Sequence, residues 1–86
     1  METKFRIKLE TMEDIRDFVY VTNSFPDDID MVNGREKLNA KSIIAVSYLA
    51  LGKEVGVHIV TNDVTSICAF KKAIEKWIVC KIHKSK

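Results

Sequence analysis

The sequence contains few of the residues that mark a secreted, membrane-spanning or metal-binding protein. Its 86 residues include two cysteines, two histidines, one proline and three glycines. The longest run without a charge, Ser42 to Gly52, is too short to span a bilayer. The N-terminus runs into alternating residues and lacks the apolar core of a secretory signal. We therefore expect a cytoplasmic protein with no membrane-spanning helix.

The cysteines and histidines are placed poorly for cross-linking or for holding a metal. Cys68 and Cys80 lie in one C-terminal segment with helical periodicity, where about 1.5 Å of rise per residue separates them by roughly 18 Å. That distance excludes a disulfide, so we expect reduced, buried or half-buried thiols. Neither cysteine has the compact ligand spacing of a metal site with His58 or His83. The sequence predicts no metal and no cofactor.

Composition and charge indicate one ordinary globular domain. The chain is 47% apolar and 30% charged, with a net charge of +2. A chain of this size forms a single core and buries roughly 60% of the surface that its unfolded form exposes. We predict one domain over residues 1–80 and a basic tail over residues 81–86. Because the lysines cluster only in that solvated tail, no nucleic-acid partner is expected.

Hydrophobic periodicity predicts strand, helix, strand, strand, helix, strand, helix. The first six elements are expected over residues 4–10, 12–23, 29–32, 35–38, 42–51 and 55–60. Asn33-Gly34 predicts a two-residue hairpin loop, because both positions accept a positive φ. The last helix follows a cap at Asn62 or Asp63, and its apolar stripe consists of Ile67, Phe70, Ile74, Trp77 and Ile78. This order favours an α+β fold, a four-stranded sheet with one helix-covered and one open face.

The central segment carries a family resemblance. The element order, read with Val32-Asn-Gly-Arg35 and Asn39-Ala-Lys-Ser-Ile-Ile-Ala-Val46, resembles the histidine-containing phosphocarrier protein (HPr) family of the bacterial sugar phosphotransferase system. The resemblance covers about residues 4–80. It implies an open-faced β-sandwich of topology βαββαβα, with an antiparallel sheet in the order 1-4-2-3 and three helices on one face. It also implies that Ser42 matches the serine phosphorylated by the family's ATP-dependent kinase.

The family's phosphohistidine motif, Gly-x-His-x-Arg-Pro, is degenerate in this chain. The corresponding stretch is Met12-Glu-Asp-Ile-Arg-Asp17, so Asp14 stands at the histidine's position and Arg16 at the arginine's. A phosphocarrier needs a neutral imidazole nucleophile, whereas a carboxylate repels the incoming dianion. The simplest interpretation of Asp14 is a helix-start residue that complements the helix dipole, and an aspartyl phosphate is the remote alternative. We predict that phosphocarrier activity is lost and that the protein is not an enzyme.

Two roles stay open for Ser42. Its hydroxyl can cap the second helix by accepting a hydrogen bond from a backbone N–H of the first turn. A helix N-terminus also favours an anion, so a phosphate there would be stabilised. A catabolite-repression branch of the family likewise lacks the histidine and keeps the serine. The resemblance therefore implies regulation by phosphorylation, with an HPr kinase or a transcriptional regulator as partner.

The second helix carries the candidate residues for partner binding. By the resemblance this surface includes Ile43, Ile44, Ser47, Tyr48 and Leu49, of which Ile44 and Tyr48 are the expected exposed pair. The competing interpretation is that apolar residues in so short a helix belong mainly to the core. The competing function is a scaffold that keeps the fold for protein contact and is never phosphorylated.

Overall fold

The computed structural model describes residues 3–79, and it contains the seven predicted elements in the predicted order. The elements are β1 (Lys4–Lys8), α1 (Met12–Asn23), β2 (Asp28–Asn33), β3 (Glu36–Asn39), α2 (Ile43–Ala50), β4 (Glu54–Val60) and α3 (Val64–Ile74). A single 3₁₀ turn, Glu75–Trp77, follows α3. The predictions for Cys80, His83 and the basic tail lie outside the described residues.

The four strands form one antiparallel sheet in the order β1-β4-β2-β3, as predicted. β4 lies between β1 and β2, and His58 in it pairs with Lys4 on one side and Asp30 on the other. Buried residues alternate with exposed ones along β1 and mainly with half-buried ones along β4, because successive side chains point to opposite faces of a strand. Three helices cover the apolar face, so the other face carries the polar side chains and stays open.

The core lies between the apolar sheet face and the helices. It contains 18 buried apolar side chains, of which the largest fully buried ones are Phe18 and Phe70. α1 contributes Ile15, Phe18 and the polar Thr22 at helical spacing, as its sequence pattern predicts. Phe18 also meets Trp77 edge to face, with 5.7 Å between ring centroids. The 3₁₀ turn is thereby packed onto α1.

The β2–β3 hairpin loop differs from its prediction by one residue. Asn33 pairs with Glu36 and belongs to β2, so the two loop residues are Gly34 and Arg35. Gly34 has φ +64°, whereas none of the described non-glycine residues has a positive φ. A glycine at the first loop position is typical of a type II′ turn. The Asn33 side chain instead donates a hydrogen bond to the Leu49 carbonyl, 3.4 Å away, which joins β2 to α2.

Two predictions for the C-terminal segment were also wrong. The apolar stripe from Ile67 to Ile78 does not lie on one helix, because α3 ends at Ile74 and Ile78 pairs with Ile7 as an isolated bridge. The Val79 N–H then donates to the Arg6 carbonyl at 2.9 Å, which closes the outer edge of β1. Cys68 was expected to be buried or half-buried, but it is exposed.

Candidate functional site

The α2 N-terminus is formed by Ser42, which caps the helix as predicted. Ser42 has an extended backbone, and its Oγ accepts a hydrogen bond from the Ala45 N–H at 3.3 Å. Its carbonyl accepts the first helical bond from the Val46 N–H at 2.9 Å. At the other end Gly52 has φ +70°, the left-handed conformation that commonly follows a helix. Ser42 is therefore held in place by the helix that it begins.

Hydrogen bonds join the segment before Ser42 to the C-terminal end of α1. The Thr22 hydroxyl lies 2.9 Å from the Ala40 carbonyl oxygen, and Asn23 Nδ2 donates to the Lys41 carbonyl at 3.0 Å. Lys41 Nζ in turn donates to the Phe25 carbonyl at 2.6 Å. The α2 N-terminus thus has a fixed position against α1.

The hydrogen bonds between α1 and the segment before Ser42 were not predicted from the sequence. One signal was available, since Thr22 is a hydroxyl on an otherwise apolar helical stripe, and buried hydroxyls have hydrogen-bond partners. Thr22 is fully buried. Its partner could not be identified from spacing, because Ala40 lies 18 residues further along the chain.

Asp14 takes part in the start of α1. Its backbone N–H donates to Thr11 Oγ1 at 3.1 Å, and its Oδ2 accepts from the Glu10 N–H at 3.2 Å. These two bonds satisfy backbone donors at the start of the helix, much as in a capping box. Arg16 is exposed and has no hydrogen-bond or ion-pair partner among residues 3–79. One carboxylate oxygen thus takes part in helix capping, and Arg16 makes no ion pair with Asp14.

Three apolar side chains of α2 face outward. Ile44 is 80% exposed, Tyr48 is 66% exposed and Ile43 is 40% exposed. Ile44 and Tyr48 lie one helical turn apart on the same face, and we call Ile43, Ile44 and Tyr48 the α2 patch. The Tyr48 hydroxyl lies 3.4 Å from Glu36 Oε2 of β3 and donates to it. The structure thus exposes the pair that the sequence analysis expected to be exposed.

The other two candidates of α2 do not extend this surface. Leu49 is 1% exposed and packs in the core, so its prediction as a partner-binding residue is corrected. Its side of the helix faces the sheet, which leaves no surface for a partner to reach. Ser47 is half-buried, and its hydroxyl donates to the Ile43 carbonyl at 2.7 Å.

Across residues 3–79, no group of three or more His, Cys, Asp or Glu side chains could hold a metal ion. Nor do these residues form a helix that is both long enough and apolar enough to cross a membrane.

The sheet order and the helix-covered face define an open-faced β-sandwich, an architecture that this chain shares with several solved structures. The structure is similar to HPr-C-His from Thermoanaerobacter tengcongensis, with a TM-score of 0.67 and 18% identity over 87% of this chain and 92% of that one. It is similar to a histidine-containing phosphocarrier protein from Mycoplasma, with a TM-score of 0.62 and 20% identity over 85% and 92%. It is also similar to the phosphocarrier protein HPr from Bacillus anthracis, with a TM-score of 0.60 and 20% identity over 81% and 93%.

The chain therefore has the HPr-like fold. No protein-family model matches it, and no curated protein sequence does so. At 18–20% identity the likeness is one of architecture, and the chemistry of the site has to be argued from this chain's own residues.

Proposed function

We propose that this protein is a non-catalytic, HPr-like binding protein that contacts a protein partner through the α2 patch. The observation that carries the proposal is the exposure of Ile44 and Tyr48, 80% and 66%, one turn apart on a helix whose start is fixed against α1. Large apolar side chains grouped on a surface often mark a contact site, and aromatic residues are enriched in interfaces. A preformed helix face also loses little entropy when a partner binds.

The proposal includes the loss of phosphocarrier activity. Asp14 occupies the place where the resemblance puts the nucleophilic histidine, and its carboxylate accepts a hydrogen bond from the Glu10 backbone. A carboxylate engaged in this way is a poor nucleophile, and its negative charge opposes a phosphoryl donor. A binding role without catalysis therefore fits the residues better than a carrier role. A cytoplasmic location stays a prediction.

We further propose that phosphorylation of Ser42 regulates the α2 patch. A phosphoserine adds a charge of about −1.5 to −2, and the N-terminus of a helix favours that charge. Ile43 and Ile44 follow Ser42 directly, so the phosphate would change the surface that a partner meets. The partners implied are an HPr kinase as the modifying enzyme and a transcriptional regulator as the reader. A scaffold without phosphorylation is the alternative.

Substitution of Ile44 by aspartate tests the patch. We expect Ile44→Asp to weaken partner binding at least tenfold, because burying an unpaired carboxylate in an apolar contact costs more than about 1.4 kcal/mol. The matched control is Val64→Asp, since Val64 is 53% exposed at the first position of α3, where an acidic residue is tolerated. Quantitative pulldown from the native host compares both variants with wild type. Equal capture by Ile44→Asp and wild type would exclude the patch as the binding surface.

Kinase treatment tests regulation at Ser42. We expect wild type and Ser47→Ala to gain one phosphoryl group on incubation with an HPr kinase and ATP, and Ser42→Ala to gain none. Intact-mass spectrometry measures the gain. Because Ser42→Ala loses a helix cap worth about 1 kcal/mol, its folding is checked by urea denaturation.

The result separates regulation from scaffolding. An unmodified wild-type protein would remove the regulatory proposal. The scaffold would be favoured further if Ser42→Ala, Ser42→Asp and wild type capture the same partners.

A further inference from the structure

The open face of the sheet carries a broad basin that the proposed function does not use. The basin has a volume of about 580 Å³, within the range of small-molecule sites. Its rim is formed by Lys4 and Arg6 of β1 and Lys37 of β3, and its middle by Gly56 and His58 of β4. These residues belong to the face opposite the helices, because they alternate with the buried residues of their strands.

Strand register arranges the basin in two parallel rows. One row crosses the sheet from Lys4 to His58 to Asp30, and the next crosses from Arg6 to Gly56 to Val32. Val32 pairs in turn with Lys37, so a cation ends the second row on each side. With strands about 4.8 Å apart, β1 and β3 are roughly 14 Å apart. In the second row, long basic side chains therefore flank Gly56 and Val32, which are much shorter.

Gly56 makes the floor of the basin. A Cβ added there would have no neighbour closer than 3.8 Å, the nearest being backbone oxygens of Val32 and Phe5. Neither the close packing of a neighbour nor a positive φ requires glycine at this position. Glycine inside a strand weakens it, and it often marks a place where a ligand approaches the backbone. The missing side chain leaves open the space between the cationic rims.

The charges of the basin favour an anion. Its lining includes three cations, Lys4, Arg6 and Lys37, and one carboxylate, Asp30. Lys37 Nζ lies 3.8 Å from Asp30 Oδ2, and Arg6 Nε lies 3.1 Å from Glu54 Oε1. Arg6 and Lys37 are still 54% and 69% exposed, so an anion above the sheet can contact both cations as well.

Lys4 differs from the other two cations of the basin, which form the ion pairs just described. Its ammonium group has no ion-pair partner among residues 3–79. Its neighbour in the row, His58, can add an N–H donor to an anion held above the floor.

We infer that this basin binds a small multivalent oxyanion, a molecule bearing phosphate or several carboxylate groups. Arg6 donates from Nε and Nη2 to Glu54 and keeps further guanidinium N–H donors for such oxygens, while Lys4 and Lys37 act as point charges on either side. The 580 Å³ volume fits a small molecule. Because the basin and the α2 patch lie on opposite faces, each proposal can fail without the other.

Titration with sodium pyrophosphate, monitored by amide chemical shifts at constant ionic strength, tests the inference. We expect saturable shifts centred on Val32, Gly56 and His58, and none on α2. Lys4→Gln and Lys37→Gln should each weaken binding about threefold to tenfold, the effect of losing one charged contact. A parallel titration with citrate separates the two anion classes, since the tighter probe identifies phosphate or carboxylate as the preferred group.

Two further variants make the test decisive. Lys72→Gln removes the same charge from exposed α3 and should leave the affinity unchanged. Gly56→Val places a β-branched side chain on the floor and should abolish binding in a protein that still unfolds cooperatively. Equal weakening by Lys72→Gln and Lys4→Gln would reduce the effect to general charge attraction and overturn the inference. The inference would also be overturned if neither pyrophosphate nor citrate produced saturable shifts.

Discussion

Replacement of Phe70 by alanine is expected to lower the free energy of unfolding by about 3–5 kcal/mol. Phe70 is fully buried, and its ring centroid lies 6.0 Å from that of Phe5 and 5.5 Å from that of Phe25. It therefore joins α3 to β1 and to the loop before β2. The free energy of unfolding of a native protein is about 5–15 kcal/mol in total, so the variant would keep only a fraction of its stability. Urea denaturation followed by the fluorescence of Trp77, the single tryptophan, measures the loss.

Phe70→Leu is the matched control, because it keeps an apolar side chain and leaves a smaller cavity. Its loss of stability should be clearly smaller than that of Phe70→Ala, since the cost grows with the volume left empty. Similar losses for the two variants would mean that ring contacts with Phe5 and Phe25, rather than volume, hold this part of the core.

Thr22→Val should cost about 1–3 kcal/mol although the two side chains have nearly the same shape. The buried Thr22 hydroxyl lies 2.9 Å from the Ala40 carbonyl oxygen and 3.0 Å from that of Val19, and it can donate to one of them at a time. Valine leaves the fully buried Ala40 carbonyl without this donor. Because the bond joins α1 to the segment before α2, amide hydrogen exchange should also become faster at Ala45 and Val46. Urea denaturation and hydrogen exchange measure the two effects.

Thr22→Ser distinguishes the contribution of the hydroxyl to stability from that of the methyl group. It keeps the donor and should cost only about 0.8 kcal/mol for the lost carbon, with no faster exchange in α2. If Thr22→Ser accelerated exchange as much as Thr22→Val, packing rather than the hydrogen bond would hold the helix start.

Much of the fold could be predicted because several local signals agreed. Ser42 stands at a helix start and caps the helix, as its position at the junction predicts. Alternation in β1 and β4 identifies the buried face, because a strand's side chains point alternately to its two sides. The order of strands in the sheet came from the resemblance, since periodicity does not say which strands are neighbours.

The errors arose at positions where tertiary contacts, rather than the local sequence pattern, determine which side chains are buried and which residues form a loop. α2 has no charged residue from Ile43 to Ala50, so its sequence does not show that Leu49 is buried while Ile44 is exposed. The orientation is set by the packing of Val46, Leu49 and Ala50 in the core, which spacing along the chain cannot reveal. Asn33-Gly34 has the composition of a hairpin loop, but the Asn33 side chain bonds to the Leu49 carbonyl and the loop moves one residue on.

The basin on the open face of the sheet could not be predicted from the sequence, for a related reason. Lys4, Lys37 and Gly56 are distant in sequence. They line one basin because the sheet order places β4 and β2 between the edge strands β1 and β3. The lysines outside the C-terminal tail are scattered along the sequence, so their spacing predicts no common site. Their common location follows from strand register alone.

The position of β1 also constrains the order in which the chain can assemble. The β2–β3 hairpin closes over a two-residue loop and can form within about 1–10 μs. β1, in contrast, pairs only with β4 and with the bridge at Ile78, so Lys4 meets a partner 54 residues away at His58. Closing such a long loop is entropically costly. During synthesis, Phe5 and Ile7 therefore stay without their partner strand until β4 has been made, although β1 is the first strand in the chain.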